Sequence, residues 1–496
     1  MAFTLLRSLL ALSTFCLTLV SATFLSQLTS QGFSVDVPGG SGFTTASAAF
    51  NRRFTIQPAA IAYPNNANDV SNAIKIANSF DINVVARSGG HSYIANGVGG
   101  KSGLLVIDMK NFNTVSYDAT TKVATIGTGN RLGTVATGLN NNGRALPHGT
   151  CPYVGFGGHS GHGGYGFTSR QWGLTLDTIL SYDVVLANGT IATASNTTNS
   201  DLYWALKGAS SSFGIVTNVR TTTFAAPSSV TIFEYSWDLS ASAAASVLLA
   251  FQSFSNSASL STAFGGEINL GQGSKKGRVW LGLTGGWYAP ANQFDAAIAP
   301  LLAQLPTPGT KKLTVGTYIN SVKYLGGLNT LSVTAAETPD TFYAKSLMTP
   351  QGSLISSTAA NAFMSYLANN AFGANSDWFV QFEQYGGTNS AINKVPLSAT
   401  AFGRRSSMFT IQMYTSAPGG VPPFPSAGFT LLDGMANSLV NNSPAGWDYG
   451  AYVNYPDNRL TNWQNLYYST NYARLQTLKN KYDPQDTFSF PLSIEL

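Results

Sequence analysis

Short apolar runs and amphipathic stretches alternate near the start of the chain. Residues 59–63 and 82–86 form two apolar runs. Between them, the apolar residues Val70, Ile74 and Ala77 recur at the spacing of one helix face. The asparagines that precede them are suited to cap a helix. The pattern predicts a strand, a helix and a second strand, which ends at a Gly-rich turn. No G-x-G-x-x-G with a following acidic residue lies in register, so this is not a dinucleotide-binding Rossmann unit.

The next part of the chain predicts further strands, one helix and a hairpin. We expect strands at 104–108, 123–127 and 213–219 and a helix at 132–142. The hairpin is expected at 178–193, with its turn at Asn188-Gly189. Beyond Pro227, strand-like and helical segments are interleaved, which predicts an α+β domain on an antiparallel sheet. Its strands are expected at 230–235, 264–270, 278–283, 378–385 and 407–414, and its helices at 243–255, 291–299 and 359–367.

The first 22 residues have the pattern of a secretory signal. Arg7 supplies a positive start, an apolar run follows over 9–20, and small residues end at Ala22. The apolar run is too short to span a membrane. We therefore expect a secreted, extracellular protein with no membrane partner. Three N-glycosylation triplets agree with export and begin at Asn188, Asn196 and Asn441.

The charge and the cysteine content of the chain further narrow the classes of protein to which it can belong. The chain has 27 basic and 22 acidic residues, net +5, spread without runs, which gives no footprint for nucleic acid. Of its two cysteines, Cys16 lies in the expected signal, so Cys151 cannot form an internal disulfide. Burial as a small hydrophobe, intermolecular pairing and a dedicated chemical use all stay open for this thiol. We expect a monomer.

The candidate chemistry is concentrated in the Gly-rich stretch 147–167. It contains Cys151 and three of the four histidines, with eight glycines in 21 residues, and the fourth histidine is His91. Such a backbone suits close approach to a flat or phosphorylated ligand, although a surface loop with incidental histidines is the alternative. His159 and His162 have a spacing compatible with metal ligation. Without nearby carboxylates or thiolates, polar contacts to a cofactor are favoured and no metal is expected.

At these residues the chain resembles the berberine-bridge-enzyme-like branch of the flavin-linked oxidases, and within it the secreted fungal oligosaccharide oxidases. The motifs are Arg87-Ser-Gly-Gly-His-Ser-Tyr93 and His148-Gly-Thr-Cys-Pro-Tyr-Val-Gly155, followed by Gly157-Gly-His159 and Gly163-Gly-Tyr-Gly-Phe167. The resemblance implies an FAD bonded covalently to His91 at the 8α-methyl and to Cys151 at ring position 6. It further implies these cofactor-binding residues: Arg87, Ser88, Gly89, Gly90, Ser92, Gly155, Gly158, His159, Gly164 and Val216.

The resemblance also implies the domain organisation. It predicts an α+β protein with a two-lobed FAD-binding domain of the vanillyl-alcohol-oxidase type and an inserted α+β substrate domain on an antiparallel sheet. The expected parts are a signal peptide at 1–22, the FAD-binding domain at 23–226 and 447–496, and the substrate domain at 227–446. One departure is the segment 208–212, which is Gly-Ala-Ser-Ser-Ser here and nearly all glycine in relatives.

The implied reaction is oxidation of the reducing-end C1 hydroxyl of an oligosaccharide to a lactone, with oxygen reduced to hydrogen peroxide. Tyr455 and Glu383 match a catalytic pair whose acid is usually Asp. A phenol with a pKa of about 10 is a poor base, so a carboxylate beside it helps to take up the proton. In a strand, Gln381, Glu383 and Tyr385 would share one face, which meets either a ligand or solvent.

The resemblance carries further roles to individual residues. The implied substrate-binding residues are Tyr93, Thr150, Glu267, Phe379, Gln381 and Gln412. Among them, a carboxylate at Glu267 suits a free 2-hydroxyl, and Phe379 replaces a stacking tryptophan. Val154 matches the residue that gates the access of oxygen to the flavin, and a valine at this position commonly accompanies oxygen use. The alternatives are a dehydrogenase that passes electrons to a quinone or redox protein, and a flavin-bearing carbohydrate-binding protein with little turnover.

Overall fold

The computed structural model describes residues 22–496 of the 496-residue chain. The expected signal peptide lies outside the described residues except for Ala22, which is helical together with residues 23–29. Within the described range, no helix is long and apolar enough to cross a membrane.

The first sheet has four strands in the order β1-β2-β4-β3. Their bounds are Ser34–Asp36, Ala60–Tyr63, Val84–Arg87 and Leu105–Asp108 for β1 to β4. β4 lies between β2 and β3 and is parallel to both. The predicted helix between β2 and β3 is confirmed at Ala67–Ser79, and the Asn66 side chain caps it by accepting hydrogen bonds from two backbone amides. The sequence after β3 therefore leaves the sheet as a Gly-rich loop, at the strand end where open parallel sheets bind ligands.

The second sheet is antiparallel, with the strand order β5-β6-β10-β8-β9. The bounds of β5, β6, β8, β9 and β10 are Val115–Asp118, Val123–Gly127, Ile179–Val185, Ile191–Ser195 and Ile215–Thr222. The predicted hairpin at Asn188-Gly189 is confirmed as the β8–β9 connection. The short strands β7 and β11, Arg144–Ala145 and Phe224–Ala225, pair with each other.

The third sheet has seven antiparallel strands in the order β15-β12-β14-β13-β17-β18-β16. The bounds of β12 to β18 are Val230–Ser240, Phe264–Gln272, Arg278–Trp287, Thr310–Gly316, Phe342–Pro350, Asp377–Gln384 and Ser407–Ser416. One face packs against helices Ala241–Asn256, Ser357–Asn369 and Ala427–Val440 in the largest apolar core cluster of the described chain. The other face carries polar side chains, because successive residues of a strand point to opposite sides. The α+β fold class with a large antiparallel sheet is thus confirmed.

Five further helices of moderate length and several short ones complete these elements. The five are Leu132–Asn140, Ser200–Ala209, Phe294–Leu302, Tyr318–Leu325 and Tyr472–Tyr482. The short ones are Phe43–Ala46, Phe156–Gly161, Ser169–Trp172, Thr175–Thr178, Ala391–Lys394 and Trp463–Tyr468. Residues Leu466, Leu475 and Leu478 join the core that contains Trp204, so the C-terminal segment packs on the first half of the chain. The domain boundaries at 226/227 and 446/447 stay predictions.

The bounds of several expected elements differ from the structure. The strands expected at 230–235 and 278–283 are longer, Val230–Ser240 and Arg278–Trp287. The helix expected at 291–299 is Phe294–Leu302, because its buried apolar residues begin at Phe294 and an exposed 3-10 turn precedes them. The strand expected to reach Tyr385 ends at Gln384. There the amides of Tyr385 and Gly386 both donate to the Met408 carbonyl, so the regular pairing of β17 with β18 stops at this point. Tyr385 is buried in a cluster with Tyr165 and Tyr452, against which Tyr455 packs, so it lies on the side of the sheet where the two-residue period predicts it.

Candidate active site

A cavity of about 410 Å³ lies where the two Gly-rich loops meet the polar face of the seven-stranded sheet. Residues 88–93 and 149–158 form one side of it, Glu267 and Glu383 stand on the sheet side, and residues 452–456 complete the wall. Its volume falls in the range of about 300–1,000 Å³ that is usual for ligand pockets. The cavity is lined by residues of both segments in which the sequence predicts the candidate chemistry, including His91 and Cys151.

The two loops touch backbone to backbone at Gly89 and Gly155. A Cβ atom added at Gly89 would lie 2.5 Å from the Gly155 amide nitrogen, and one added at Gly155 would lie 2.1 Å from the Gly89 nitrogen. Only glycine fits at either position. Ser88 ties the loops together, since its hydroxyl donates to the Thr128 carbonyl (2.5 Å) and accepts from the Gly157 amide (3.1 Å).

His91 and Cys151 face each other across this junction. The Cys151 Sγ atom is 4.0 Å from His91 Nε2, and the Phe50 ring stacks on the imidazole with centroids 3.9 Å apart. His91 Nε2 is also 2.9 Å from Glu337 Oε1. Burial alone would lower the pKa of His91, but hydrogen bonds with Cys151 and Glu337 outweigh it and raise this pKa to about 9. Glu337 lies 246 residues from His91 and in no motif, so no local pattern indicates its role.

Tyr455 and Glu383 form a buried hydrogen-bonded pair. The Tyr455 hydroxyl donates to Glu383 Oε1 at 2.6 Å, and the Tyr93 ring stacks on Tyr455 with centroids 5.6 Å apart and an angle of 2°. Burial raises the pKa of Glu383 to about 8, and the negative charge of Glu267 adds to this although the bond from Tyr455 opposes it. Burial raises the pKa of Tyr455 well above 10. Glu383 Oε2 is buried without a hydrogen-bond partner among residues 22–496.

Beside this pair, the sheet presents a polar network. Glu267 is opposite Glu383 in the register of β13 and β17, and Asn269 is opposite Gln381. Glu267 Oε1 accepts hydrogen bonds from Asn269 Nδ2 (3.0 Å) and Gln381 Nε2 (3.3 Å), and Thr284 is a weaker partner at 3.5 Å. Sequence analysis missed Asn269, although it follows Glu267 by two residues in a strand and so shares its face.

Most of the sequence-predicted site residues line the cavity, including Val154, Thr150 and Val216. Three of them do not: Arg87, Gly164 and Phe379. The Arg87 side chain instead forms an ion pair with Asp108 at 2.6 Å, and the Gly164 amide donates to the Tyr452 hydroxyl at 2.9 Å. Phe379 is 37% exposed on the outer part of the sheet, where it stacks on Tyr414. Gln412 lies in the cavity wall and donates to the Tyr93 hydroxyl at 2.5 Å.

The remaining histidines are engaged by the loop backbone. His159 Nε2 accepts from the Gly149 amide at 3.1 Å, and His162 Nδ1 donates to the Gly158 carbonyl at 3.0 Å. Burial lowers the pKa of His159 to about 3, and the nearby His148 adds to this effect. Burial also lowers the pKa of His162. These side chains are therefore neutral polar groups at neutral pH.

The cavity has features that suit a flavin dinucleotide. A Cβ atom at Gly158 would meet nothing within 4 Å, so the helix Phe156–Gly161 presents an open backbone there. In the segment that departs from the family glycines, the Ser212 hydroxyl accepts from the Ile494 amide (3.0 Å), and Ser210 packs against Gly161. Both serine side chains thus have protein partners while their segment still lines the cavity.

Comparison with known proteins agrees with this geometry. Residues 58–195 match the FAD binding domain family, and residues 451–495 match the family described as berberine and berberine like. A chitooligosaccharide oxidase from Gibberella zeae is 35% identical over 95% of this chain and 94% of its own.

Solved structures of similar proteins cover the same range. A xylooligosaccharide oxidase from Myceliophthora thermophila in complex with xylobiose superposes with a TM-score of 0.88 at 34% identity, over 95% of this chain and 99% of its own. A glucooligosaccharide oxidase from Acremonium strictum, described with a 6-S-cysteinyl, 8α-N1-histidyl FAD, has a TM-score of 0.88 at 30% identity and the same coverage. With this identity and coverage, the chain belongs to the berberine-bridge-enzyme-like family of FAD-linked oxidases.

Proposed function

We propose that this protein is an FAD-dependent oxidase that converts the reducing-end C1 hydroxyl of an oligosaccharide to the lactone. The observation that carries the proposal is the 2.6 Å hydrogen bond from Tyr455 to Glu383, which lies in the cavity that also holds His91 and Cys151. A phenol paired with a buried carboxylate is a proton acceptor in the part of the cavity where a sugar hydroxyl would meet the flavin. Similarity to the oligosaccharide oxidases supports the same substrate class.

We infer that His91 and Cys151 both bond covalently to the FAD. Their position in the two glycine loops, 4.0 Å apart, supports this, and a thioether accounts for the one thiol of the described chain. The donor atoms of His91, Cys151 and Glu337 lie within 4.8 Å of one another, so a metal ion is the competing occupant. Metal analysis of yellow protein distinguishes the two. When bound, FAD supplies the chemistry of accepting the hydride from C1.

Tyr455 and Glu383 would handle the proton of the same step. The C1 hydroxyl donates to the Tyr455 oxygen, and Tyr455 passes its own proton to Glu383, so the substrate loses one proton and one hydride and C1 becomes a carbonyl. The relay needs Glu383 ionised, and its pKa of about 8 means that this form grows as pH rises. The Tyr93 ring, stacked on Tyr455, holds the phenol in place.

The polar sheet face would orient the sugar. Glu267 and Gln381 line the cavity with their side chains directed at each other, and a carboxylate at Glu267 suits a free 2-hydroxyl better than an N-acetyl group. Thr150 and Gln412 line the same space. This arrangement supports neutral gluco- or xylo-configured oligosaccharides as the substrate class.

We further propose that oxygen is the electron acceptor and that the protein acts outside the cell. Val154 lines the cavity three residues after Cys151, and its small side chain leaves room beside the flavin. Reduction of oxygen by the two electrons gives hydrogen peroxide, and the lactone hydrolyses to an aldonic acid. A quinone or redox-protein acceptor is the competing outcome.

The test is an anaerobic titration of the yellow protein with lactose and with cello-, malto-, xylo- and chito-oligosaccharides. Bleaching of the flavin absorbance by a reducing sugar, and not by the matching alditol, supports oxidation at C1. Tyr455→Phe is the matched control, because it should bind sugar yet bleach at least about 100-fold more slowly. If no sugar of these series bleaches the flavin, the proposed function is wrong. Mixing the reduced protein with aerated buffer then separates fast peroxide formation from a flavin that persists until a quinone is added.

A further inference from the structure

The polar face of the seven-stranded sheet continues beyond the cavity toward solvent. We call it the substrate face and define it by Glu267 and Glu383. Along β13 and β17 the next same-face pair is Asn269 with Gln381, and the following positions are Gly271 and Phe379. From Glu267 to Gly271 is four residues, about 13 Å along the strand. The substrate face therefore extends well past the cavity wall.

Trp280 stands on this outer part of the substrate face. It is opposite Gly271 in the β13–β14 register, and it shares its face with Gly282 and Thr284, since these follow it by two and four residues. Thr284 is the residue opposite Glu267. The indole is 42% exposed, whereas most large apolar side chains of the sheet are buried.

Two glycines hold the indole flat on the sheet. A Cβ atom added at Gly282 would lie 2.8 Å from Trp280 Cη2, and one added at Gly271 would lie 3.6 Å from Cε3. The ring therefore covers both glycines and leans along β14 toward the cavity. No side chain fits under it at Gly282 without displacing it. One face of the indole is fixed against the backbone, and the ring stays partly open to solvent.

Single exposed aromatic residues are common and need no function. Trp280, however, has a second exposed aromatic residue near it. Phe379 is 37% exposed and lies two strands away across Gly271, at a distance of about 10 Å. Asp238, opposite Trp280, forms an ion pair with Arg278 at the outer end of the same face. Aromatic rings beside charged hydrogen-bonding groups provide what a sugar needs, an apolar platform for its C–H face and partners for its hydroxyls.

We propose that Trp280 forms an outer subsite that stacks a glycosyl residue distal to the reducing end. The inference rests on the proposed function, because the sugar that occupies it is the continuation of the substrate in the cavity. The Trp280 backbone lies about 13 Å along the sheet from the Glu267 row, and the indole extends back over Gly282 to about 7 Å from that row. Glycosyl residues added to the distal end of the substrate therefore cover more of the indole as the chain lengthens.

The test compares Trp280→Ala with wild-type holoenzyme on mono- to tetrasaccharides of the preferred series. We expect KM for the tri- and tetrasaccharide to rise about five- to tenfold, a size typical of one aromatic contact, with kcat unchanged and a smaller rise of KM for the disaccharide. Trp280→Tyr should retain most of the affinity. The matched control is Val315→Ala on β15, which removes a 62% exposed apolar side chain from the opposite face of the same sheet.

Two further measurements keep the proposal testable if Trp280→Ala folds poorly. Gly282→Ala retains the indole but pushes it off the sheet, and it should give the same length-selective loss. Oligosaccharide alditols, which cannot be oxidised, should quench tryptophan fluorescence of the wild type and not of Trp280→Tyr. Equal effects at every chain length, or none, would overturn the outer subsite while sugar oxidation stands. Failure of every sugar to reduce the flavin would instead refute the proposed function.

Discussion

Replacement of Glu383 by Gln tests the proton relay most directly. The change removes the carboxylate that accepts the 2.6 Å hydrogen bond from Tyr455 while keeping the side-chain volume nearly constant. In the wild type the relay needs ionised Glu383. Burial and the charge of Glu267 raise its pKa from 4.5 to about 8, so most molecules carry a neutral Glu383 at pH 7.

The size of the effect follows from this pKa. About 1% of Glu383 is ionised at pH 6, about 10% at pH 7 and about half at pH 8, so the rate of flavin reduction should rise about tenfold per pH unit below pH 8. It should level off above pH 9. In Glu383→Gln this rising limb of the pH–rate profile should disappear. The limiting rate of flavin reduction should fall by about 10²–10⁴-fold, as expected for loss of a general base.

Glu267→Gln provides a second, independent shift. Removing the neighbouring negative charge lowers the pKa of Glu383, so the limb should move to lower pH while keeping its slope. Asp377→Asn is the matched control, since it neutralises an exposed carboxylate at the far end of the same strand. The assay is anaerobic stopped-flow reduction at saturating disaccharide between pH 5.5 and 9.5. A Glu383→Gln profile that keeps the wild-type limb would refute the assignment.

Thermal unfolding of the wild type and of Glu383→Gln tests the raised pKa of Glu383 without any substrate. A carboxyl whose folded pKa is raised costs stability as pH rises from its ordinary value through the folded pKa. The wild type should therefore lose more stability than Glu383→Gln between pH 5 and 9. Parallel melting curves for the two proteins would contradict a strongly raised pKa.

Three other predictions concern the flavin. His91→Ala and Cys151→Ala should each keep a yellow acid precipitate through the remaining link, and a colourless precipitate from the wild type would exclude covalent attachment. Val154→Leu should slow reoxidation of the reduced flavin by oxygen several-fold and leave its reduction by sugar unchanged, whereas equal reoxidation rates would remove Val154 from the oxygen path. In the Cys151→Ala background, Glu337→Gln should lower the covalently bound fraction, measured by protein mass, because it removes the 2.9 Å partner that orients His91; an unchanged fraction would show that this contact is dispensable.

Much of the fold could be predicted because its signals are local. The helix Ala67–Ser79 has its cap and its apolar face within its own sequence, and the hairpin at Asn188-Gly189 has its turn chemistry there. The exposed edge strand β15 was missed, since Thr310–Gly316 has no buried alternating face to mark it. The end of β17 at Gln384 was not predicted, because it depends on the contact of Tyr385 and Gly386 with Met408 of a partner strand, which the local pattern does not contain.

The candidate cofactor chemistry could be predicted from two short segments of the chain. They single out His91 and Cys151, because glycines, histidines and a lone thiol in two short segments are visible without knowing what surrounds them. The residues that contact these groups became visible only in the folded protein. Glu337 contacts His91 and Gly89 meets Gly155 through loops that the fold brings together, and Trp280 rests on glycines of its own strand and of the neighbouring strand. Each contact depends on distances below about 4 Å. Such distances are set by packing and register of the whole fold, which no local pattern of residues encodes.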